Sequence, residues 1–518
     1  MNKSFKEAIN VLKKLQAEIN ILYNENPHKA IEKAVNLKSN SKLPQELVDG
    51  FKAAVFVDGG YLTKNYKLVE DGVRIFEELL DKYPDRLDIA YNLANGLSNL
   101  TYLSPNQDHF SWIQKTFHLR KKARYLYDRV AKGAKNNELQ TQSMTNIGNM
   151  FLASNRILEA YDAYIIALKH DSANGIAATG AAKILIHYLN IGIGDSTILS
   201  SVSEKYIRIA KKHKDKILKY GGQEALNKLS DLLTMKLSDK PLTETKDLGP
   251  YEEFVERNRL SLSPTIEGLD NSILKWDSLI IESIIEPTDK GFGVPPIFAM
   301  FNSMKADFLT ARWLSYMALE KETPDSGLYY DTLDYANYGM ESSLLQLAQR
   351  SCLDILDKIA IATTEYLNLP GDVRSISFSN RWYVSTSKND TQLEWQEAIG
   401  LQIRNRNYAL MALSELSEDL NLEGILKFKK SLRNASTHRF VILHEMGDSG
   451  DRKSKFIEHF NQNMFKDELI TTLQVVRSAL FYFIELVNMN ELQKKRGSDG
   501  ILMPLTVPSH HSVKGEAD

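Results

Sequence analysis

The chain lacks most of the features that assign a protein quickly. It has one cysteine in 518 residues, which excludes an internal disulfide framework and a cysteine-rich metal site. That residue, Cys352, lies in the apolar stretch LAQRSCLDIL, where a buried structural thiol is expected rather than a reactive one. No run of 18 apolar residues occurs, so neither a transmembrane helix nor a membrane partner is expected. The net charge of −2 gives no global basic field, so nucleic acid would have to be met by a local patch. The N-terminal MNKSFKEAINVLKKLQAEI is amphipathic and contains acids; without an apolar signal core or a small-residue cleavage site, it points to the cytoplasm. No HxxxH, HExxH or carboxylate cluster stands out, so no metal and no other cofactor is expected. The Gly291-Phe292-Gly293 turn is not followed by GK[ST] or GxxG and does not make a phosphate loop.

What is present is helical periodicity. The length predicts two or three domains. Met1 to Asn24 carries Phe5, Ile9, Leu12, Leu15, Ile19 and Leu22 on one stripe, and Pro27 is expected to end that helix. From about Ala53 a period of about 34 residues appears. Gly148, Ala160, Tyr164 and Ala167 recur at the same offsets as Gly60, Gly72, Phe76 and Leu79, with Pro84 beyond them. Small residues let paired helices approach, and the aromatic fills the gap to the next pair. These positions resemble the tetratricopeptide repeat. A further unit holds Leu93, Ala94, Ala123, Tyr127 and Val130, interrupted by SPNQDHFSWIQKTFHLR, which reads as a long loop pinned by Trp112, Phe117 and His118. Ile176 to Lys219 and Glu224 to Leu237 read as degenerate or capping helices. Such an array implies a concave surface for a peptide or protein ligand.

Ser238 to Gly249 and Thr288 to Pro296 carry the Gly, Pro and Ser content of linkers. The expected organisation is all-α: tetratricopeptide-like repeats over 1–245, a connecting segment over 246–296, a helical domain over 297–492, and a tail over 493–518 with a disordered end. Helices are expected over Ile297 to Glu322, Tyr338 to Leu369, Ala398 to Asp419, Leu422 to Leu432 and Phe456 to Leu492.

Between the last two lies Arg433-Asn434-Ala435-Ser436-Thr437-His438. A guanidinium that stays charged and an imidazole that exchanges protons near neutrality can together act on a phosphodiester. The pairs Arg208–His213 and Arg439–His444 share that spacing, but the first sits on a Lys-rich surface and the second spans apolar FVIL. Six residues alone do not separate this chemistry from ordinary helix-end roles, with His438 capping carbonyls and Arg433 pairing with an acid.

Three segments together, FNSMKADFLTARWL (301–314), QLAQRSCLDILDKIAIATTEYLNL (346–369) and RNASTH (433–438), resemble the HEPN domain family. The resemblance implies a metal-independent endoribonuclease acting on an RNA substrate across a two-fold homodimer. It implies Arg433 and His438 as catalytic residues, with Asn434 orienting and Asp357, on a facing helix, supporting. The ribose 2′-OH would attack the adjacent phosphate to leave a 2′,3′-cyclic phosphate. A toxin or anti-phage effector controlled through the repeats fits this pattern. The alternative is a non-catalytic scaffold or RNA-binding protein with a helical dimerisation domain, and Asp357 could instead form a structural ion pair with Lys358.

Overall fold

A computed structural model describes residues 3–40, 43–105, 108–235, 237, 247–271, 273–287, 293–384, 394–420, 424–426, 440–446, 454–497 and 502–507. The architecture is all-α, a helical repeat array followed by a C-terminal bundle.

The array opens with α1 (Lys3–Glu25) and α2 (Pro27–Val35). Pro27 starts the second helix as well as excluding it from the first. The Asn26 side chain accepts from the His28 and Lys29 N–H groups, and proline is well suited to the first helical position because it has no N–H to satisfy. Helix pairs follow: α3 (Gln45–Leu62) with α4 (Tyr66–Lys82), α5 (Leu87–Leu103) with α6 (His109–Gly133), α7 (Asn137–Ala153) with α8 (Ile157–His170), and α9 (Gly175–Asn190) with α10 (Ser196–Lys212). The small positions work as the sequence pattern requires. A Cβ on Gly148 would lie 2.7 Å from the Tyr164 ring, and Gly180 faces the same ring from the next pair. One aromatic thus sets the spacing between neighbouring hairpins. Helix α11 (Lys214–Leu233) crosses beside α9 and α10 and breaks at Gly222, which has φ +65°.

The insertion is not a loop. Asp108 caps α6 through the Ser111 N–H, and the inserted residues become its first turns. Its aromatics dock on the C-terminal half: Phe110 meets Trp395 with ring centroids 5.1 Å apart, and His109 meets Tyr408 at 5.1 Å. The reading as a pinned loop missed this because its partners lie nearly 300 residues away in the chain.

After α12 (Pro250–Arg257) and the short α13 (Ile273–Trp276), the bundle consists of α14 (Pro296–Glu320), α15 (Met340–Tyr366), α16 (Glu397–Arg404), α17 (Tyr408–Asp419) and α18 (Gln462–Gly497). The stretch read as one helix over Ala398 to Asp419 is two, parted where Arg406 takes φ +68° and Asn407 is buried. Two small sheets join them. Strand β1 (Ile284–Pro287) pairs antiparallel with β5 (Leu502–Leu505). Strand β3 (Phe440–His444) lies between β2 (Ala336–Asn337), antiparallel, and β4 (Ile457–Asn461), parallel. The closing helix therefore begins at Gln462, because residues 457–461, expected as its start, are taken by the sheet. The expected 422–432 helix and the tail from 508 onward fall mostly outside the described residues; 424–426 form a turn.

Helix α18 is the axis of the bundle and touches α8, α14, α15, α17, β1, β3 and β4. It is long and apolar enough to cross a membrane by length and composition alone, but 83% of its most apolar window is buried within the fold. One continuous hydrophobic core runs from Ala53 in the array to Val487 in α18. Polar groups also cross the junction. Asp162 on α8 accepts from Arg259 (2.6 Å) and from Arg477 on α18 (2.9 Å), and Arg477 donates to the Ser261 and Ser263 carbonyls.

Glu485, on α18, is buried at this junction. Burial pushes its carboxyl up to about 8, with a small opposing effect from the Tyr188 hydroxyl. The native state therefore holds a proton that the unfolded chain releases near pH 4.3. Stability is fully present below that value and declines as pH rises through it towards about 8. Thermal unfolding should show Glu485→Gln matching the parent near pH 4 and exceeding it increasingly up to pH 9; parallel curves for the two proteins would contradict this.

Candidate active site

Arg433, Asn434 and His438 lie outside the described residues, as does Arg439. What is on view is how the segment bearing them is held at each end.

The upstream end leaves α17, a helix buried on nearly every side: Glu415 and Asp419 are both fully buried. Three equally buried arginines from the repeat array meet them. Arg120 and Arg124 come from α6, one turn apart on one face, and Arg156 stands at the entrance of α8. Arg120 pairs with Glu415, Arg124 bridges Glu415 (2.9 Å) and Asp419 (3.2 Å), and Arg156 pairs with Asp419 and, through its other nitrogens, Glu159. The Ser154 hydroxyl accepts from Arg124 at 2.8 Å. Burial alone would raise both carboxyls. The guanidiniums reverse this and hold them below the ordinary carboxylate range: Arg120 and Arg124 for Glu415, Arg124 and Arg156 for Asp419. After α17 the chain turns sharply, and the Leu426 N–H donates to the Asp419 carbonyl at 2.8 Å.

The downstream end enters the three-stranded sheet. The Phe440 N–H donates to the Phe456 carbonyl, and β3 then runs in register with β4. At its far end His444, almost fully buried, lies beside the Asp334 carbonyl (Nδ1, 2.9 Å) and His459 (Nε2 to Nδ1, 2.8 Å). A carbonyl only accepts, so His444 Nδ1 carries a proton towards Asp334, and the second bond joins the two rings. His459 Nε2 has no hydrogen-bond partner among the described residues. Burial, and secondly the nearness of His444, lower the His459 pKa and favour its neutral form. The spacing of Arg439 and His444 made His444 look like a mere decoy. Its pairing with His459 depends on strand register, which the one-dimensional pattern did not reveal.

Asp357 is on α15, and its Oδ1 accepts from the Phe378 N–H at 2.7 Å, steadying the turn before buried Trp382. Lys358, the alternative partner considered for Asp357, pairs with Asp307 on α14 at 2.6 Å. Arg208 is exposed and bonded to Glu204, as its Lys-rich surroundings suggested.

A helical bundle whose strand-entering segment carries the Arg–Asn–His group can now be set against known families. Residues 288–490 match the family model described as LA2681-like HEPN. This part of the chain is a HEPN domain. The family is generally associated with ribonuclease activity. The match takes in α14, α15, α17, β3, β4 and nearly all of α18, together with the segment holding Arg433 and His438. A search of curated proteins finds no match.

The upstream anchor of the HEPN segment thus hangs on charges supplied by the repeats. Removing one acid leaves two buried guanidiniums short of a partner. Asp419→Ala should cost about 3–5 kcal/mol in denaturant unfolding, whereas Glu204→Ala, which breaks an exposed pair, should cost under about 1 kcal/mol. Equal losses would show that the buried cluster does not fasten the two halves.

Proposed function

We propose that the protein is a metal-independent endoribonuclease. The observation that carries the reading is the HEPN family match, which contains the Arg433–His438 group. In this reading His438 moves the proton of a ribose 2′-OH and of the departing 5′-oxygen, and Arg433 holds the charge that builds on the phosphate. Asn434 orients the pair. Asp357 supports the site through the turn it steadies at Phe378. The products are a 2′,3′-cyclic phosphate and a 5′-OH, and no cofactor takes part. Control by a ligand of the repeat array, as in a toxin or an anti-phage effector, is supported by the buried arginines that link α6 and α8 to the helix before the motif.

The purified full chain with total RNA and a chelator tests the chemistry. Arg433→Ala and His438→Ala should each lower cleavage by about 10²–10⁴-fold, with cyclic-phosphate ends on the parent's products. Cleavage that disappears with chelator, or survives both substitutions, overturns the reading. RNA left intact by the parent across a protein titration favours a non-catalytic scaffold.

The active unit in this proposal is a homodimer joined through the HEPN domain. Supporting it, large apolar side chains stand exposed around the small sheet that receives the motif segment: Leu333 (86%), Tyr335 (64%), Phe440 (70%), Phe456 (60%) and Met464 (56%). Large apolar side chains left exposed near one small sheet favour a covering partner. Phe440→Ser with Phe456→Ser should convert a dimer to a monomer in size-exclusion chromatography with light scattering. Cleavage should fall at least about tenfold with it, since a shared site is halved. A parent that is already monomeric while cleaving RNA would remove the dimer from the proposal.

A further inference from the structure

The inner helices of the array enclose a cavity of about 660 Å³. Its walls are the first helices of successive pairs, α3, α5, α7 and the start of α9, and α11 closes one side with Lys216, Tyr220 and Gly221. This is a size that holds a drug-like or short-peptide ligand.

The lining chemistry is one-sided. Three carboxylates, Asp58, Glu138 and Asp171, face it with a single cation, Lys216, which is already paired with Asp171 at 3.3 Å. Asp58 is open to the cavity's water yet walled in by protein, and this enclosure raises its carboxyl to about 6. Five tyrosines line the same space: Tyr61, Tyr91, Tyr102, Tyr127 and Tyr220. Carboxylates among aromatic faces attract an organic cation and repel a phosphate chain, so RNA and nucleotides do not suit this cavity.

A second set of groups narrows the ligand. Asparagines line the cavity on α5 and α7. Tyr127 donates to Asn95 Oδ1 and Tyr164 donates to Asn149 Oδ1, both at 2.7 Å, which orients these side chains. Asn146 Nδ2 is likewise taken up by Asn95 Oδ1 at 3.2 Å. Among the described residues no hydrogen bond occupies the Asn149 amide N–H groups or the Asn146 carbonyl, which leaves them for a guest. The Thr141 hydroxyl, on the same wall and only 7% exposed as a residue, has no partner among the described residues. Amide donors and acceptors held on one cavity wall can pair with the C=O and N–H groups of an extended main chain.

We propose that this cavity binds a short extended peptide segment bearing a Lys or Arg side chain, its cation against Asp58 and the tyrosine rings and its main chain on the asparagine amides. The proposal deepens the ligand-control part of the proposed function but does not depend on RNA cleavage, and its test reads binding alone.

Isothermal titration of the full chain with acetyl-Gly-Ala-Lys-Ala-Gly-amide would be compared with the peptide carrying norleucine for Lys, the peptide carrying Glu, and 1,4-diaminobutane. The Lys peptide should bind at least tenfold more tightly than the norleucine peptide, and the Glu peptide should not bind. Asp58→Asn and, separately, Asn146→Ala with Asn149→Ala should each weaken the Lys peptide at least tenfold, with thermal unfolding checking the fold. Glu138→Gln, at an exposed position, gives a second reading of the charge requirement if Asp58→Asn unfolds. Equal binding of the Lys and norleucine peptides, absence of binding by the Lys peptide, or binding of diaminobutane as tight as that peptide would overturn the proposal.

Discussion

Three buried guanidiniums facing two buried carboxylates hold this molecule in one arrangement. Arg120, Arg124 and Arg156 belong to the repeats; Glu415 and Asp419 belong to the helix that precedes the Arg433–His438 segment. Such a cluster adds little net stability over a well-packed apolar filling, because every charge has been stripped of water. Its effect is on selectivity. Any docking that shifts α6 against α17 by a turn leaves charges buried without partners. The apolar core that runs through both halves supplies the adhesion, and the charges fix the register.

The elements that were legible in the sequence were those whose signals are local. Gly148, Tyr164 and the recurring small residues announced the hairpins, and their spacing follows from contacts within about one repeat. The apolar periodicity of 301–314 and 346–369 gave two bundle helices. Long-range devices were hidden. The residues of the insertion look like loop material until Trp395 and Tyr408 are present for Phe110 and His109 to pack on. The short strands were missed for the same reason. Phe440-Val-Ile-Leu-His reads only as an apolar run, and 457–461 continues smoothly into a helix, so pairing partners alone distinguish them.

The candidate site divides similarly. Its candidate residues were named from six adjacent positions together with the family resemblance and lie outside the described residues, whereas the mounting of their segment could not be read from the sequence. Asp357 was read as supporting the site from a facing helix, and its Oδ1 accepts from the Phe378 N–H, a contact the sequence did not announce. His444 looked incidental, and it stands at the centre of a hydrogen-bonded row from the Asp334 carbonyl to His459. The motif segment therefore runs between two rigid mounts of different make: a charge cluster shared with the repeats, and a strand whose far end is fastened by imidazoles.

The position of α18 has a consequence for biogenesis. The helix that packs against α8, α14, α15, α17 and two sheets leaves the ribosome after all of these helices. Until residues 462–497 emerge, both halves display unfilled apolar surface, a condition that attracts chaperones and invites aggregation. A message cut short before that point yields a polypeptide that cannot close its core. Synthesis as far as residue 497 is thereby a built-in checkpoint, and products cut short of it are expected to be cleared rather than to accumulate as working fragments.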